Sequence, residues 1–261
     1  MGLINRISTQ LSRRWLSHMP IPVLQQRLSR RSGATGLCYH SISCDYPDYP
    51  YATTPDAFEE HLKFLSETFD IRPLRQVVDI LTSEEPAGYG KSLAFISFDD
   101  AYRDNLYAAT PILEKFDIPA TLFAPRDLVR HDNTTHMSEE ELKLIATHPL
   151  WDLGGHSLTH NPLPALTPED MRHELAESQT WLEDLVCQPI DAFAYPLGSI
   201  SDVVVEIARE YYSFAVSTDR STWSTFDPLQ IRRYCPTRHD NPAHALAQSL
   251  LLNPYEVIGK A

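Results

Sequence analysis

The sequence lacks the cysteine spacings by which small metal knuckles and disulfide frameworks are recognised. Its four cysteines, at positions 38, 44, 187 and 235, are scattered, and no two of them form a Cys-x-x-Cys pair. This scatter predicts reduced or buried thiols, with a single disulfide as the alternative, and it gives no sign of a cysteine-based zinc site.

Long hydrophobic runs and a basic main body are also missing. No segment approaches about 18 uninterrupted apolar residues, so no membrane-spanning helix is predicted. Residues 1–35 hold six arginines and no acid, which leaves 16 bases against 35 acids in residues 36–261, a net charge of −19. Such an acidic body argues against nucleic acid as the main partner, because phosphate binding needs a basic face.

What the chain does contain is ordinary for a globular protein: 261 residues, of which 43% are hydrophobic and 22% charged. This length is enough for one large domain or two small ones. From the charge distribution we predict a basic N-terminal extension over residues 1–35 and a single domain over residues 36–261.

The basic extension contains LSRRWLSH, which is similar to a twin-arginine export signal. Prolines and arginines interrupt the apolar region that should follow, at positions 20, 22, 27, 30 and 31. We therefore expect a cytoplasmic protein more than an exported one. A basic arm with Leu, Ile and Trp could also lie on an anionic membrane surface. The alternatives are a helix packed on the outside of the domain or a loose tail, and the oligomeric state is not indicated.

Short apolar runs alternate with amphipathic segments from residue 36 onward. The apolar runs include SLAFISF (92–98), ATLFAP (120–125) and WDLGG (151–155), and the longest amphipathic segment covers residues 167–186. Such alternation implies parallel βαβ units with right-handed crossovers. Six or more units favour an α/β fold, an incomplete (β/α) barrel of parallel strands with outer helices. In such a barrel the functional residues follow the carboxyl ends of the strands.

Polar residues follow predicted strands at four places, which are YH (39–40), FDD (98–100), HSLTH (156–160) and YPLG (195–198). His156 and His160 are four residues apart, and one helical turn would place both imidazoles on one face, as a divalent cation requires. Asp99 and Asp100 leave their strand in opposite directions, so one can join the histidines while the other acts as a general base. A cation would also make two neighbouring carboxylates tolerable. The alternative is that this pair only caps the following helix.

These motifs resemble those of a known family. ISFDDAYRDN, HSLTH and FAYPLG are similar, in order and spacing, to motifs of the polysaccharide deacetylases of carbohydrate esterase family 4, which share a NodB-homology domain. The early Tyr-His and the Phe-Ala-Tyr-Pro segment indicate one of its subgroups. The resemblance covers residues 36–235 and implies a distorted (β/α) barrel with metal-dependent removal of acyl groups from sugars.

The resemblance also implies roles for individual residues. Asp99 would be the general base, and Asp100, His156 and His160 would bind the metal. The backbone N–H of Leu197 would lie where the family places its oxyanion donor. Zn²⁺ is the expected cation, with Co²⁺, Ni²⁺ or Fe²⁺ as alternatives that suit the same ligands.

Two roles are less directly implied. The resemblance implies that His40 is the general acid. The alternative is that His40 has a purely structural role, and His239 is the second candidate for the acid. The arginine that the family commonly carries near its Pro-Tyr segment is Ala194 here, so we expect Arg232 or Arg233 to support the catalytic aspartate instead.

We therefore predict a metal-dependent hydrolase that removes an acyl group from an amino sugar of a polysaccharide or glycan precursor. The acyl group that we expect is N-acetyl. A metal-bound water would attack the acyl carbonyl. Tyr195 and Pro196 are expected to contact substrate or support the site, with packing as the alternative for Tyr195. The alternative functions are a deformylase or amidase acting on a lipid- or nucleotide-linked sugar or another small amide, and a non-catalytic carbohydrate-binding barrel.

Overall fold

The computed structural model describes residues 19–30, 33–83, 91–131, 134–218, 226–252 and 256–257. The arginines at positions 6, 13, 14 and 31 of the predicted basic extension lie outside these ranges.

Helices and strands alternate along the described chain. The strands are β1 (Ala34–Tyr39), β2 (Asp70–Ile71), β3 (Leu93–Phe98), β4 (Ala120–Ala124), β5 (Trp151–Gly155), β6 (Ala192–Ala194), β7 (Phe214–Ser217), β8 (Ile231–Arg232) and β9 (Glu256–Val257). The α-helices are α1 (Ile21–Leu28), α2 (Pro55–Thr68), α3 (Leu74–Thr82), α4 (Thr110–Phe116), α5 (Arg126–His131), α6 (Glu139–Thr147), α7 (Pro168–Val186), α8 (Asp202–Ala208) and α9 (Ala243–Leu252). A π-helical turn, Asn105–Ala109, precedes α4, and short 3₁₀ turns cover Leu163–Ala165, Pro196–Gly198 and Arg238–Asp240.

The strands form one sheet in the order β8-β7-β6-β5-β4-β3-β1-β9, with β2 paired to β3. The pairs from β8 through to β1 are parallel, whereas β9 runs antiparallel to β1. The two ends of the parallel series meet at a bridge between Leu37 and Tyr234. There Tyr234 N donates to Gly36 O and Cys38 N donates to Tyr234 O, both at 2.8 Å. The fold is therefore a nearly closed (β/α) barrel with one unsealed seam, which confirms the predicted incomplete barrel.

Apolar side chains on the two faces of the strands form separate buried clusters. In β4, Leu122 belongs to one cluster and its neighbour Phe123 to the other. In β3, Phe98 and Phe95 divide in the same way. Because successive strand residues point to opposite faces, strands buried on both sides read as continuous apolar runs. This is why five of the six residues of LAFISF are apolar, the exception being buried Ser97, whose hydroxyl donates to Leu37 O at 2.8 Å.

Helix α1 falls within the predicted basic extension and packs on the domain. Leu24 and Leu28 are fully buried, and Ser92 Oγ donates to Leu28 O at 3.1 Å. For residues 21–28 the structure thus shows the packed-helix alternative. Within the ranges that the structure describes, no helix is both long and apolar enough to cross a membrane.

Glu141 ties the start of helix α6 to the segment that follows β3. Its carboxylate accepts from Arg103 Nε at 2.8 Å and Tyr107 OH at 2.6 Å, and from the backbone N of Ser138 at 3.0 Å. Ser138 Oγ in turn accepts from Glu141 N, which completes a capping box. Burial raises the pKa of Glu141, but the bonds from Tyr107, Ser138 and Arg103 outweigh it and lower that pKa to about 2.

We expect Glu141→Gln to lower the free energy of unfolding by about 1–2 kcal/mol at pH 7, the usual cost of losing a cap and a charged hydrogen bond. The folded-state pKa lies below the unfolded value of about 4.3, so the carboxylate stabilises the fold above that pH. Its contribution is lost as pH falls from there towards 2. Urea unfolding at pH 7, 5.5 and 4 should therefore show the difference from the native protein shrinking at the lowest pH. Exposed Glu140→Gln is the matched control, and a difference that does not depend on pH would contradict this account.

Candidate active site

Side chains from separate strand ends surround one pocket of about 370 Å³. It is lined by the two neighbouring aspartates, three histidines and several residues at the rim, namely Asp99, Asp100, His40, His156, His160, Tyr49, Tyr51, Leu197 and Cys235. The pocket lies where β1, β3 and β5 end, together with the turn after β6 and the segment after β8. The predicted position of the site at the carboxyl ends of the strands is therefore observed.

Asp99 is held by a buried arginine. Its Oδ1 and Oδ2 lie 2.7 and 2.8 Å from the two terminal nitrogens of Arg233, in a bidentate pair. Cys38 Sγ donates to Oδ2 at 3.2 Å. Burial would raise the pKa of Asp99, but Arg233, followed by His156, brings it down to about 2. Asp99 is therefore an ionised carboxylate that is fixed in position.

Of the two arginines proposed to support this aspartate, Arg233 is the one that contacts Asp99. It is completely buried, it donates to Ser97 Oγ at 2.9 Å as well as to Asp99, and its guanidinium lies 5.4 Å from the centre of the Phe123 ring. Arg232 precedes it in extended chain, where successive side chains point to opposite faces. The arginine missing at Ala194 is thus replaced from a different strand.

Asp100 is directed away from Asp99 and towards the two histidines. Its backbone is left-handed, with φ of 70°, because the chain turns sharply where β3 ends. Its Oδ1 lies 3.5 Å from His156 Nε2 and 3.1 Å from His160 Nε2. Burial raises the pKa of Asp100, but the two imidazoles lower it well below its usual range. The two aspartates therefore have separate partners.

The Asp100, His156 and His160 group fits a divalent cation. One ligand atom from each residue lies within 4.8 Å of the others. His156 Nδ1 donates to Ala194 O at 2.7 Å, so its Nε2 keeps a lone pair for a cation. In the part of the chain that the structure describes, Asp100 Oδ1 is buried with no hydrogen-bond partner. A cation at this point would satisfy that oxygen, and the mixed oxygen and nitrogen ligands suit Zn²⁺.

The segment 156–160 is a loop and not the helical turn that the spacing predicts. Ser157 and His160 have positive φ, 65° and 61°, and Ser157 Oγ accepts from His160 N at 3.0 Å. The two imidazoles still meet, with ring centres 4.8 Å apart. Two left-handed residues fold the loop back on itself, so the prediction of proximity is confirmed although the predicted helical turn is wrong.

Glu174 shapes this loop and is not identified by the sequence motifs. Its Oε2 accepts from Leu158 N at 2.9 Å and from Thr159 N at 3.0 Å, and its Oε1 accepts from Thr159 Oγ1 at 2.8 Å. Glu174 lies in the buried stripe of α7, between Met171 and Leu175. The sequence signal that could have identified Glu174 is a charged residue within the apolar stripe of a helix. Such a buried carboxylate needs hydrogen-bond donors from another part of the chain.

We expect Glu174→Gln to weaken zinc binding by about 10-fold, at the lower end of the range for residues that orient metal ligands. The new NH₂ group cannot accept from the loop amides, so the loop that carries His160 loosens. The zinc dissociation constant, measured by competition with a chromophoric chelator, is the readout. Exposed Glu177→Gln on the same helix is the control. A lower melting temperature with unchanged zinc affinity would show a merely structural role.

The two histidines considered as general acid lie in different surroundings. His40 lines the pocket and stacks on Tyr51, with ring centres 5.2 Å apart. Burial lowers the pKa of His40, against the opposing effect of Asp100 and Asp99. His239 is exposed on the 3₁₀ turn and does not line the pocket. Of these two histidines, His40 is therefore the one that lines the pocket.

The turn after β6 reaches the pocket through Leu197 and not through Tyr195, the predicted substrate contact. Tyr195 is fully buried and donates to Leu229 O at 2.9 Å, so it packs in the core and cannot contact substrate. Pro196 is buried as well. Leu197 has a positive φ of 57° and a side chain 68% exposed, and it lines the pocket. Among residues of the described ranges, none accepts a hydrogen bond from the Leu197 N–H.

Comparison with known proteins agrees with this geometry. The polysaccharide deacetylase family model matches residues 87–213, the stretch that carries both aspartates and both histidines. This stretch, just under half of the chain, is similar to the polysaccharide deacetylase family. Among the curated relatives of the chain, YxkH of Bacillus subtilis is 28% identical over 185 residues, which are 70% of this chain and 63% of YxkH. The poly-β-1,6-N-acetyl-D-glucosamine N-deacetylase of Staphylococcus aureus is 26% identical over 191 residues, 68% of this chain and 65% of that protein.

The matched region thus spans a little under two thirds of these curated relatives. Solved structures of similar fold include the Streptococcus pyogenes deacetylase PplD in complex with acetate, with a TM-score of 0.72 and 22% identity over 83% of this chain and 97% of PplD. IcaB from Ammonifex degensii has a TM-score of 0.70 and 21% identity over 84% of this chain and 98% of IcaB. The fold of these two proteins accordingly extends over most of the chain.

Proposed function

We propose that this chain is a metal-dependent deacetylase that removes N-acetyl groups from the amino sugars of a polysaccharide. One observation carries the proposal. Asp99 is paired with Arg233, whereas its neighbour Asp100 is grouped with His156 and His160. A carboxylate held for proton transfer beside a ligand group for a cation is the arrangement that hydrolysis of an unactivated amide needs.

Asp100, His156 and His160 would hold the cation, and Zn²⁺ is the ion that we expect there. Bound there, it would supply Lewis acidity towards the acyl oxygen and lower the pKa of a water molecule. Asp99 would take the proton from the attacking water. Because both its oxygens are held by Arg233, the carboxylate stays ionised and correctly oriented without a further change of conformation.

Two further groups at the pocket would act on the acyl group. The Leu197 N–H has no competing acceptor in the described structure, and we propose that it donates to the oxygen that gains negative charge as water attacks. His40, whose ring lines the same pocket, would donate a proton to the departing amine. Both roles require only residues that already face one cavity.

The substrate class is inferred from the relatives and the rim of the pocket. Tyr49 and Tyr51 line the entrance and lie edge to face, with ring centres 5.9 Å apart. Aromatic faces provide apolar contact area next to a polar edge, which suits sugar rings. Together with the Staphylococcus aureus relative, this favours β-linked N-acetylglucosamine polymers.

A cytoplasmic location and contact of the arginine-rich N-terminus with anionic membranes are separate proposals, since residues 1–18 lie outside the described part.

Acetate release tests the proposal. Purified protein would be incubated with β-1,6-linked N-acetylglucosamine oligomers, a nucleotide-linked N-acetyl sugar and a small N-formyl amide, with and without a chelator. We expect release from the oligomers, loss of release with chelator and recovery on adding Zn²⁺. Acetate release from the nucleotide sugar alone, or formate release from the formyl amide alone, would favour the alternative amidase or deformylase, and no release of either acid from any compound would favour a non-catalytic barrel.

A further inference from the structure

A second group of ligand-type side chains lies beside Asp99. Cys38, His40 and Cys235 each place one ligand atom within 4.8 Å of the others. Cys38 and His40 are two residues apart in extended chain, so their side chains lie on the same face. Cys235 follows Tyr234, whose backbone bonds to β1 close the barrel. Closure of the barrel therefore brings together two cysteines that are far apart in sequence.

The surroundings of this group leave it accessible to a small ion. His40 and Cys235 are half-buried and line the same pocket as Asp99. His40 Nδ1 is buried and has no hydrogen-bond partner in the described ranges. The Cys38 thiol is fully buried and donates to Asp99. An unpartnered imidazole nitrogen thus adjoins two thiols at a pocket wall.

We propose that Cys38, His40 and Cys235 form a second cation site that takes a thiophilic d¹⁰ ion such as Zn²⁺. Two thiolates and one imidazole are ligands that zinc prefers, and the pocket offers room for a fourth, exogenous ligand. Binding exchanges one proton of each thiol for the cation, so two protons leave, two sulfur–metal bonds form and no oxidant is needed. Burial and the bond to Cys235 raise the pKa of the Cys38 thiol well above its usual range, so the Cys38 sulfur remains a thiol until an ion arrives.

Occupancy of this site should inhibit the proposed deacetylase. A bound ion removes the Cys38 hydrogen bond to Asp99 and engages His40, the proposed acid. This consequence rests on the proposed function, whereas the binding itself does not. The site's ligands are also separate from Asp100, His156 and His160, so each site can be removed without altering the residues of the other.

Cadmium binding tests the site directly, because thiolate coordination of Cd²⁺ produces a near-ultraviolet charge-transfer band that oxygen and nitrogen ligands do not. Chelator-treated protein titrated with Cd²⁺ should show this band rising to one equivalent. The band should disappear in Cys38→Ser and Cys235→Ser. It should persist in His156→Ala and in the double variant Cys44→Ser/Cys187→Ser, which removes the two exposed thiols. A band that survives Cys235→Ser, or is lost with Cys44 and Cys187, would overturn the proposal.

Two further measurements complete the test. Excess Zn²⁺ should inhibit acetate release, and Cys235→Ser should need more than about 100-fold more zinc for the same inhibition, because residues that only orient ligands already cost about 10–100-fold in affinity. Equal sensitivity would overturn the inhibitory role. Thiol titration of denatured, aerobically purified protein should find four reactive thiols. Two thiols, with Cys38 and Cys235 joined in a disulfide, would overturn the cation site. If the protein released no acetate at all, the cadmium band would still decide whether the site exists.

Discussion

Asp99→Asn is expected to reduce acetate release by about 10³-fold or more while zinc content stays near that of the native protein. General-base residues typically contribute about 10²–10⁴-fold, and an amide cannot accept the proton that a carboxylate takes. Zinc is retained because Asp100, His156 and His160 make contacts separate from those of Asp99. The measurements are kcat/KM for acetate release and zinc content by elemental analysis.

Folding must be checked in the same experiment, since Arg233 is completely buried and loses its charged partner. Removing one partner of a buried pair costs about 3–5 kcal/mol, so the melting temperature should fall, and activity must be assayed well below it. Asp117→Asn is the matched control. Asp117 is exposed with φ of 52°, a backbone conformation that Asn tolerates. Activity of Asp99→Asn within tenfold of the native protein would remove Asp99 as the base.

His156→Ala is expected to abolish zinc binding at the Asp100, His156 and His160 group and, with it, activity. His156 supplies one of three ligand atoms, and its ring is oriented by the bond to Ala194 O. Residues that only orient ligands cost about 10–100-fold in metal affinity, so removing a ligand should exceed the upper end of that range. The dissociation constant for zinc, measured by chelator competition, and acetate release at saturating zinc are the two readouts.

The matched control for this variant is His173→Ala, which removes an exposed histidine from helix α7. It should bind zinc and release acetate as the native protein does. Partial recovery of His156→Ala activity at high zinc would fit a weakened site with Asp99 intact. Unchanged zinc affinity in His156→Ala would show that the cation, if any, is bound elsewhere, and the proposed ligand group would be wrong.

The barrel and the core of the site could be predicted because they depend on local patterns. A strand buried on both faces is mostly apolar, so LAFISF was recognisable, and charged residues such as Asp99 and Asp100 come only after its end. The histidines of HSLTH lie close together in sequence. Their proximity therefore survived even though left-handed backbone at Ser157 and His160, and not a helical turn, produces it.

The remaining parts of the site depend on which distant segments become neighbours. Arg233 reaches Asp99 across 134 residues of sequence, and the sequence offered Arg232 equally. Tyr195 follows a strand as a substrate contact would, yet its neighbours in the core enclose it. Glu174 bonds the histidine loop from a helix whose apolar stripe it interrupts.

The sequence by itself determined the alternating barrel, the aspartates and histidines at strand ends, and the resemblance to a family. The barrel follows from short-range periodicity, since burial on a strand or helix shows in neighbouring residues, whereas the resemblance rests on the motifs ISFDDAYRDN, HSLTH and FAYPLG. Only the tertiary structure decided which arginine holds Asp99, which histidine faces the pocket, and that Cys38 meets Cys235. Those contacts arise where the last parallel strand returns to the first, and the closing of a barrel leaves no local pattern in the chain.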